Sequence, residues 1–544
     1  MRLAELVDTS AAIAATPARL EKLALLADLL RRADREEVPI VVAWLSGHLR
    51  QGRIGLGGSA LRAAIEAADA PPPAPTLFDT PGDPAPLELR DVDTAFDRLA
   101  DLSGAGVATK RARVLAEPFR RASRREREFL ERLVMGELRQ GSLGGLMTDA
   151  VARASDLPLA AIRRAAMLTG DLEPVAVAAL TEGEAGLERF ALTPFRPVLP
   201  MLAQPAADLD DALARLGTAA LEYKLDGARV QIHRKGDEVR VYSRLLNDVT
   251  VAVPELVEAV RALPVRDAIF DGETIALRPD GRPQTFQVTM RRFGRQLDVA
   301  ESRAELPLAL QLFDVLRLDG EDCIDRPARE RWAVLRERAP SLAVPQLVTA
   351  EAQAARAFYD QALAHGHEGV MAKALDAPYE AGGRGFTWLK VKAAHTLDLV
   401  VLAAEWGHGR RAGLLSNIHL GARDAEHGGF VMLGKTFKGM TDEILAWQTA
   451  EFPKLAVREE GNVVHLRPEI VVEVDFNDVQ ESPRYPGGMA LRLARVKAYR
   501  PDKTAAEADT VETVRAILAG EGGRRKAPGA PSRKASRPRN ERRE

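Results

Sequence analysis

Lys224-Leu225-Asp226-Gly227-Ala228-Arg229 sets a primary amine, a carboxylate and a guanidinium within one short stretch of the chain. An amine is a nucleophile only when deprotonated, and a free lysine is almost wholly protonated at neutral pH. Such chemistry therefore demands neighbouring positive charge or desolvation. The stretch falls where one run of alternating apolar residues ends, at Leu221 to Lys224, and another begins at Val230 and Ile232. A lysine at such a strand-to-loop junction can point into a cleft. With four fixed identities and residue frequencies of roughly 6%, Lys-x-Asp-Gly-x-Arg occurs by chance in roughly one chain in a hundred of this length. Its plain alternative is a hairpin turn in which Asp226-Gly227 merely reverses the chain.

Further chemistry-bearing elements follow in order: Ser243-Arg244, Phe270-Asp271-Gly272-Glu273, Leu312-Phe313-Asp314, Glu368-Gly369-Val370-Met371-Ala372-Lys373, Trp388-Leu389-Lys390-Val391-Lys392, and finally Arg492 with Arg500-Pro501-Asp502-Lys503. In this order they resemble the motifs of the covalent nucleotidyltransferases, the superfamily of DNA ligases, RNA ligases and mRNA capping enzymes, and the resemblance covers nearly the whole chain. It implies that Lys224 attacks the α-phosphate of ATP to form lysyl-AMP. AMP then passes to the 5′-phosphate at a nick, and the adjacent 3′-hydroxyl displaces it.

The same resemblance assigns the neighbours. Lys390 and Lys392, with bound metal, would depress the pKa of Lys224. Arg229, Arg244 and Arg384 offer planar donors to ribose and phosphate oxygens, and Glu222 and Glu273 accept from adenine or ribose hydroxyls. Phe313 offers a flat face to the base. Glu368, and secondarily Glu273, would hold Mg2+ (or Mn2+) while pyrophosphate departs. Arg492, Arg495 and Lys503 would fold over ATP in the first step and then swing away.

The elements that must position these residues divide by pattern. Residues 1–192 read as an all-α DNA-binding domain: Thr16-Pro17 caps a helix carrying Leu20, Leu23, Leu26, Leu29 and Leu30 at helical spacing, expected as core, and Pro39 opens another through Trp44 and Leu49. Prolines from Ala70 to Pro86 predict a long surface loop. Ser103-Gly104-Ala105-Gly106 before Lys110-Arg111, and Gly136-Glu137-Leu138-Arg139-Gln140-Gly141 before Met147-Thr148-Asp149, are similar to the helical DNA-binding domain of replicative-type ATP-dependent DNA ligases. Residues 193–394 read as an α+β adenylation (nucleotidyltransferase) domain, with Lys235-Gly236-Asp237 turning a hairpin and strands expected at 268–270, 308–313, 369–373 and 388–391. Residues 395–505 carry short strands and glycine turns that suit a β-barrel OB-fold domain. Residues 506–544 read as a C-terminal helix and a disordered basic tail.

Composition narrows the classes further. The 544 residues carry 76 Lys+Arg against 78 Asp+Glu, a net charge of −2, so any nucleic-acid field must be local. Basic residues gather at Lys110 to Arg127 and Arg524 to Arg543; the first run reads most simply as a solvated helix face laced with ion pairs, the tail as a source of extra phosphate contacts. Cys323 is the only cysteine, which excludes disulfides and the cysteine-rich zinc finger of NAD-dependent ligases. With no signal peptide and no long apolar run, the expectation is a cytoplasmic, nucleoid-associated monomer acting on nicked double-stranded DNA. No membrane is involved, and there is room for a recruiting protein that the sequence does not identify.

Overall fold

The computed structural model describes the chain except residues 53, 57, 70–85, 105, 139–142, 296, 381–385, 409–410, 520–524 and 527–544. The proline-rich loop, Gln140, Arg384 and most of the basic tail thus lie outside the described residues; Arg525 and Lys526 of the tail pair as strand with His395 and Ala394.

Ten described α-helices, from Leu3–Ala15 to Glu173–Glu188, fill the first third and share one apolar core from Leu3 to Leu187. Trp44, fully buried, meets Phe96 edge-on at 5.7 Å, and truncating it to alanine would cost about 3–5 kcal/mol. Helical spacing explains Arg19–Arg32, whose Leu26, Leu29 and Leu30 are buried. Leu20, expected as core, is 73% exposed in the first turn of that helix. Lys110 to Arg127 runs over the helices Val107–Arg121 and Arg124–Val134, with Arg121 paired to Asp91, Arg124 to Glu128 and Arg127 to Asp69, a laced face as charge patterning predicts.

Two five-stranded sheets follow. One runs in the order Gln204–Pro205, Trp388–Lys392, Gly369–Ala374, Ala219–Tyr223, Gln346–Thr349; the other Glu238–Ser243, Ala228–Lys235, Asp267–Ala276, Leu308–Leu318, Glu321–Asp322. The strands expected at 268–270, 308–313, 369–373 and 388–391 are all present, and Gly236 turns the predicted hairpin. One departure has a physical cause. Alternation predicts one buried face for Ala228–Lys235, yet both are buried, because the connector 195–201 lies over Arg229, Gln231 and His233. Phe195 N–H donates to His233 Nδ1 at 2.9 Å, and Gln231 exchanges two hydrogen bonds with the Val198 backbone.

The last unit centres on the long strand Ala394–Trp406, which pairs with Leu415–Arg423, Val463–Leu466 and Val471–Phe476 in an eight-stranded sheet. The helices Asp442–Glu451 and Val511–Ala519 pack on its apolar core. A two-stranded ribbon, Asp478–Glu481 with Met489–Arg492, carries Arg492 at its end. Among the described residues no helix is long and apolar enough to cross a membrane.

Candidate active site

The chain steps from the first central sheet to the second at Lys224–Gly227. Lys224 is zipped to the neighbouring strand end: its N–H donates to the Gly369 carbonyl at 2.9 Å and its carbonyl accepts from Glu368 N–H at 3.1 Å. At Gly369 φ is +140° and a Cβ would fall 2.2 Å from the Val391 carbonyl oxygen, so only glycine lets these strands approach. Gly227 is constrained in the same way. A Cβ there would lie 2.1 Å from the Thr274 oxygen, and its N–H donates to Glu273 Oε1 at 2.9 Å.

These junctions wall a cleft of ≈1620 Å³, larger than a small-ligand pocket, lined by Glu222, Lys224, Arg229, Arg244, Glu273, Phe313, Glu368, Lys390, Lys392 and Arg492. Ten sequence-predicted site residues therefore converge. At its heart Lys224 Nζ lies 2.7 Å and Lys392 Nζ 2.8 Å from the same Glu368 oxygen. Burial disfavours the charged amine of Lys224, but Glu368, Glu273 and Asp226 together hold its pKa above the ordinary lysine value. The protein groups alone therefore do not depress this pKa, as Lys390 and Lys392 were expected to do together with bound metal, because the carboxylate in contact outweighs the nearby ammonium groups. Lys392 is the lysine pushed down, by burial and by the like charge of Lys224. Burial raises Glu368, yet Lys224 and Lys392 keep it below the usual carboxylate value. Burial pushes Glu273 up, as it does Asp226.

A second lysine–glutamate pair lines the same cleft. Glu222 meets Lys373 Nζ at 2.6 Å and accepts from Gln346 Nε2 at 2.9 Å. Lys373 also donates to the Phe313 carbonyl at 3.0 Å and stands 4.3 Å from the Trp388 ring centroid. Burial lifts the Glu222 pKa even against Lys373. Phe313 and Trp388 meet edge-to-face at 5.9 Å, leaving two aromatic rings beside the cleft. Arg229 is committed deeper, bidentate to Asp271 at 3.0 and 2.7 Å. Arg244 is exposed on the rim.

From the last unit, Arg492 Nη1 reaches Asp226 at 2.7 Å, its guanidinium 4.0 Å from the Phe286 centroid. Lys503 and Arg495 are not brought into the cleft. Lys503 pairs with Asp398 at 2.5 Å, beside Arg500, and Arg495 is exposed at the start of the strand Arg495–Tyr499. Lys373, Asp271, Trp388 and Tyr379 complete the constellation without having been singled out from sequence. The first three stood inside recognised motifs without a role of their own, whereas no local pattern marks Tyr379.

For a divalent cation, no cluster of three His, Cys, Asp or Glu residues forms a cage among the described residues. A small hard cation held by one or two carboxylates and the substrate's own phosphates needs none. Glu368 and Glu273, both acting on the Lys224 amine, supply oxygen donors of the right chemistry.

Comparison with known proteins identifies the family. Residues 200–392 match the family described as ATP dependent DNA ligase domain, residues 411–503 the ATP dependent DNA ligase C terminal region, and residues 74–152 the DNA ligase N terminus. The chain is 61% identical over 521 residues to a "Probable DNA ligase" of Anaeromyxobacter sp. (strain Fw109-5), covering 95% of this chain and 98% of the relative. It is 56% identical to a "Probable DNA ligase" of Mycolicibacterium gilvum (strain PYR-GCK), over 95% of this chain and 99% of the relative. Among solved structures, "Pmar-Lig_PreS3" shares the fold with a TM-score of 0.57 at 16% identity, covering 91% of this chain and 99% of that one. The chain belongs to the ATP-dependent DNA ligase family.

Proposed function

We propose that this ligase seals single-strand nicks in duplex DNA through lysyl-AMP and DNA-adenylate, with Lys224 as the nucleophile. The observation that carries the reading is the Lys224 amine at the wall of the cleft, 2.7 Å from Glu368, at the step between two sheets. In the first step the Lys224 nitrogen bonds to the α-phosphorus of ATP as the bond to pyrophosphate breaks. AMP then passes to the 5′-phosphate of the nick, and the 3′-hydroxyl finally attacks that phosphate and releases AMP. In each step the protein mainly orients groups and stabilises charge on the transferring phosphoryl centre.

The roles follow from position. Lys224 must shed its proton. Its burial and the proximity of Lys392 favour the neutral amine, and Glu368 opposes this. A divalent cation on Glu368 and Glu273 would draw that carboxylate charge away from the amine and offset the triphosphate. Phe313 and Trp388 offer faces to the base, Glu222 and Glu273 bind purine or ribose hydroxyls, and Arg229, Arg244, Lys390 and Lys392 meet phosphate and ribose oxygens. Arg384, outside the described residues, is proposed for the same role by residue type. Arg492 already touches the nucleophile's own segment, and Arg495 and Lys503 would join it when the last unit turns toward ATP. We take residues 1–192 as the helical DNA-binding domain, 193–394 as the adenylation domain and 395–505 as the OB-fold domain. Together they would bind a duplex by backbone and groove shape rather than by sequence.

The test is incubation of the full chain and of Lys224→Ala with α-labelled ATP and magnesium, denaturing separation, and a chase with nicked DNA. Label on the wild type alone, passing to nicked DNA with sealing, supports the reading. Transfer to nicked RNA but not DNA would make the chain an RNA ligase, and no label at all would make it an inactive scaffold.

A further inference from the structure

Beneath the cleft floor a tyrosine with no part in the reaction as described is wired into the arginine that faces it. Tyr379 is fully buried, and its hydroxyl is saturated: it donates to Asp271 Oδ2 at 2.7 Å and accepts from Met201 N–H at 3.0 Å and from Arg229 Nη2 at 3.3 Å. Burial and the Asp271 charge raise its pKa well above the ordinary value, so the hydroxyl keeps its proton and stays a donor. Its ring is itself held, edge-on to Trp388 at 5.9 Å, and its N–H donates to the Ile324 carbonyl at 2.9 Å.

The consequence falls on Arg229. Its Nε and Nη2 grip the two Asp271 oxygens, Nη2 also reaches Tyr379, and Nη1 donates to the Met201 carbonyl at 2.6 Å. A guanidinium has five N–H groups in one plane. These bonds engage four, and the remaining one, on Nη1, is what the described contacts leave for a ligand in the cleft. Arg229 also stands 5.4 Å from the Phe313 centroid and 5.8 Å from that of Trp388. Rotation by a few tens of degrees would redirect its free donor, and the Tyr379 hydroxyl resists that rotation by tying Asp271 and Arg229 to one fixed backbone N–H.

We propose that Tyr379 is a positioning residue for the first step, aiming the free Arg229 donor at the nucleotide. This rests on the reading of Lys224 as the AMP acceptor. The same hydroxyl also joins the connector that leads in from the helical unit to the cleft, since Met201 contributes both its N–H and its carbonyl.

The test is Tyr379→Phe in the full chain, which keeps the ring and deletes the three bonds. Single-turnover formation of lysyl-AMP is followed with α-labelled ATP over a range of concentrations, yielding a rate constant at saturation, an apparent ATP affinity and a burst amplitude. The expected result is a fall of ten-fold or more in the saturating rate constant with the amplitude intact. A fall in amplitude alone, with an unchanged rate constant, would mean fewer folded molecules and would overturn the proposal, as would no change in any quantity. Gln231→Leu controls for the connector by removing its bonds to Val198 without touching Tyr379, and its saturating rate constant should match wild type. If it slows as much as Tyr379→Phe, the connector rather than the hydroxyl sets the rate, and the proposal fails. Absence of label on the wild type would instead defeat the reading of Lys224 on which the proposal rests.

Discussion

Two lysine–glutamate pairs line one cleft, with Glu222 and Lys224 two residues apart along the chain, and they differ in how far water reaches them. Lys373 and Glu222 have side chains only 5% and 3% exposed, and each has one further partner, the Phe313 carbonyl and Gln346. Lys224 and Glu368 are 17% and 14% exposed, and Glu368 is shared with Lys392. The first pair has nowhere to go, because breaking it strands a buried charge. The second is more open to exchange of partners, as the proposed AMP acceptor has to be. Exposure, more than the number of partners, separates the two lysines, since Lys224 Nζ also donates to a backbone carbonyl, that of Leu225, at 3.2 Å.

That contrast can be broken in several ways. Lys224→Ala is expected to lower lysyl-AMP formation by at least about 1000-fold, while Glu368 keeps Lys392 and the fold loses only about 1 kcal/mol. Labelling and urea denaturation read the two effects separately, and comparable losses of stability in Lys224→Ala and Lys373→Ala would erase the distinction. Lys373→Ala leaves Glu222 buried without its cation and should cost about 3–5 kcal/mol in the same denaturation. Gly227→Ala drives a methyl group to 2.1 Å from a strand carbonyl that cannot move alone, an overpacking cost of about 1–3 kcal/mol read as a lowered melting temperature.

A pH dependence sharpens the picture beneath the cleft. Burial lowers the His233 pKa from 6.5 to about 3, and the neutral ring accepts from Phe195 N–H at Nδ1. The unfolded chain therefore takes up a proton that the folded chain refuses. The stability from this site is complete above pH 6.5 and drains as pH falls toward 3, by at most about 1.4 kcal/mol per unit. His233→Gln should flatten the melting temperature against pH over that window, and an unchanged slope would show that His233 does not titrate there. The smallest effect expected is between the units. A double-mutant cycle of Asp226→Asn and Arg492→Gln should return about 0.2–1 kcal/mol of coupling, since both partners are partly exposed, and zero coupling would mean the contact is not maintained in solution.

Much of this was legible in the chain. Period-two alternation located the central strands, helical spacing the N-terminal helices, and motif order brought Lys224, Glu273, Glu368 and Lys392 to one cleft. Local pattern failed where a neighbour decided the outcome. Leu20 has the spacing of a core residue yet faces solvent, and Gln231 and His233 read as a polar strand face yet are buried under the connector. Lys503 has its motif but not its partner in the cleft, because in this arrangement Asp398 holds it.

By itself the sequence determined the order of elements and the identity of the Lys224 motif, because these depend on residue type and on spacing along a strand or helix. Only the tertiary structure decided which carboxylate each cation holds. Arg229 meets Tyr379 across 150 positions and Arg492 meets Asp226 across 266, separations with no period to read. The pKa of Lys224 belongs to the same class, since it is set by burial and by the sum of charges that folding gathers around one nitrogen.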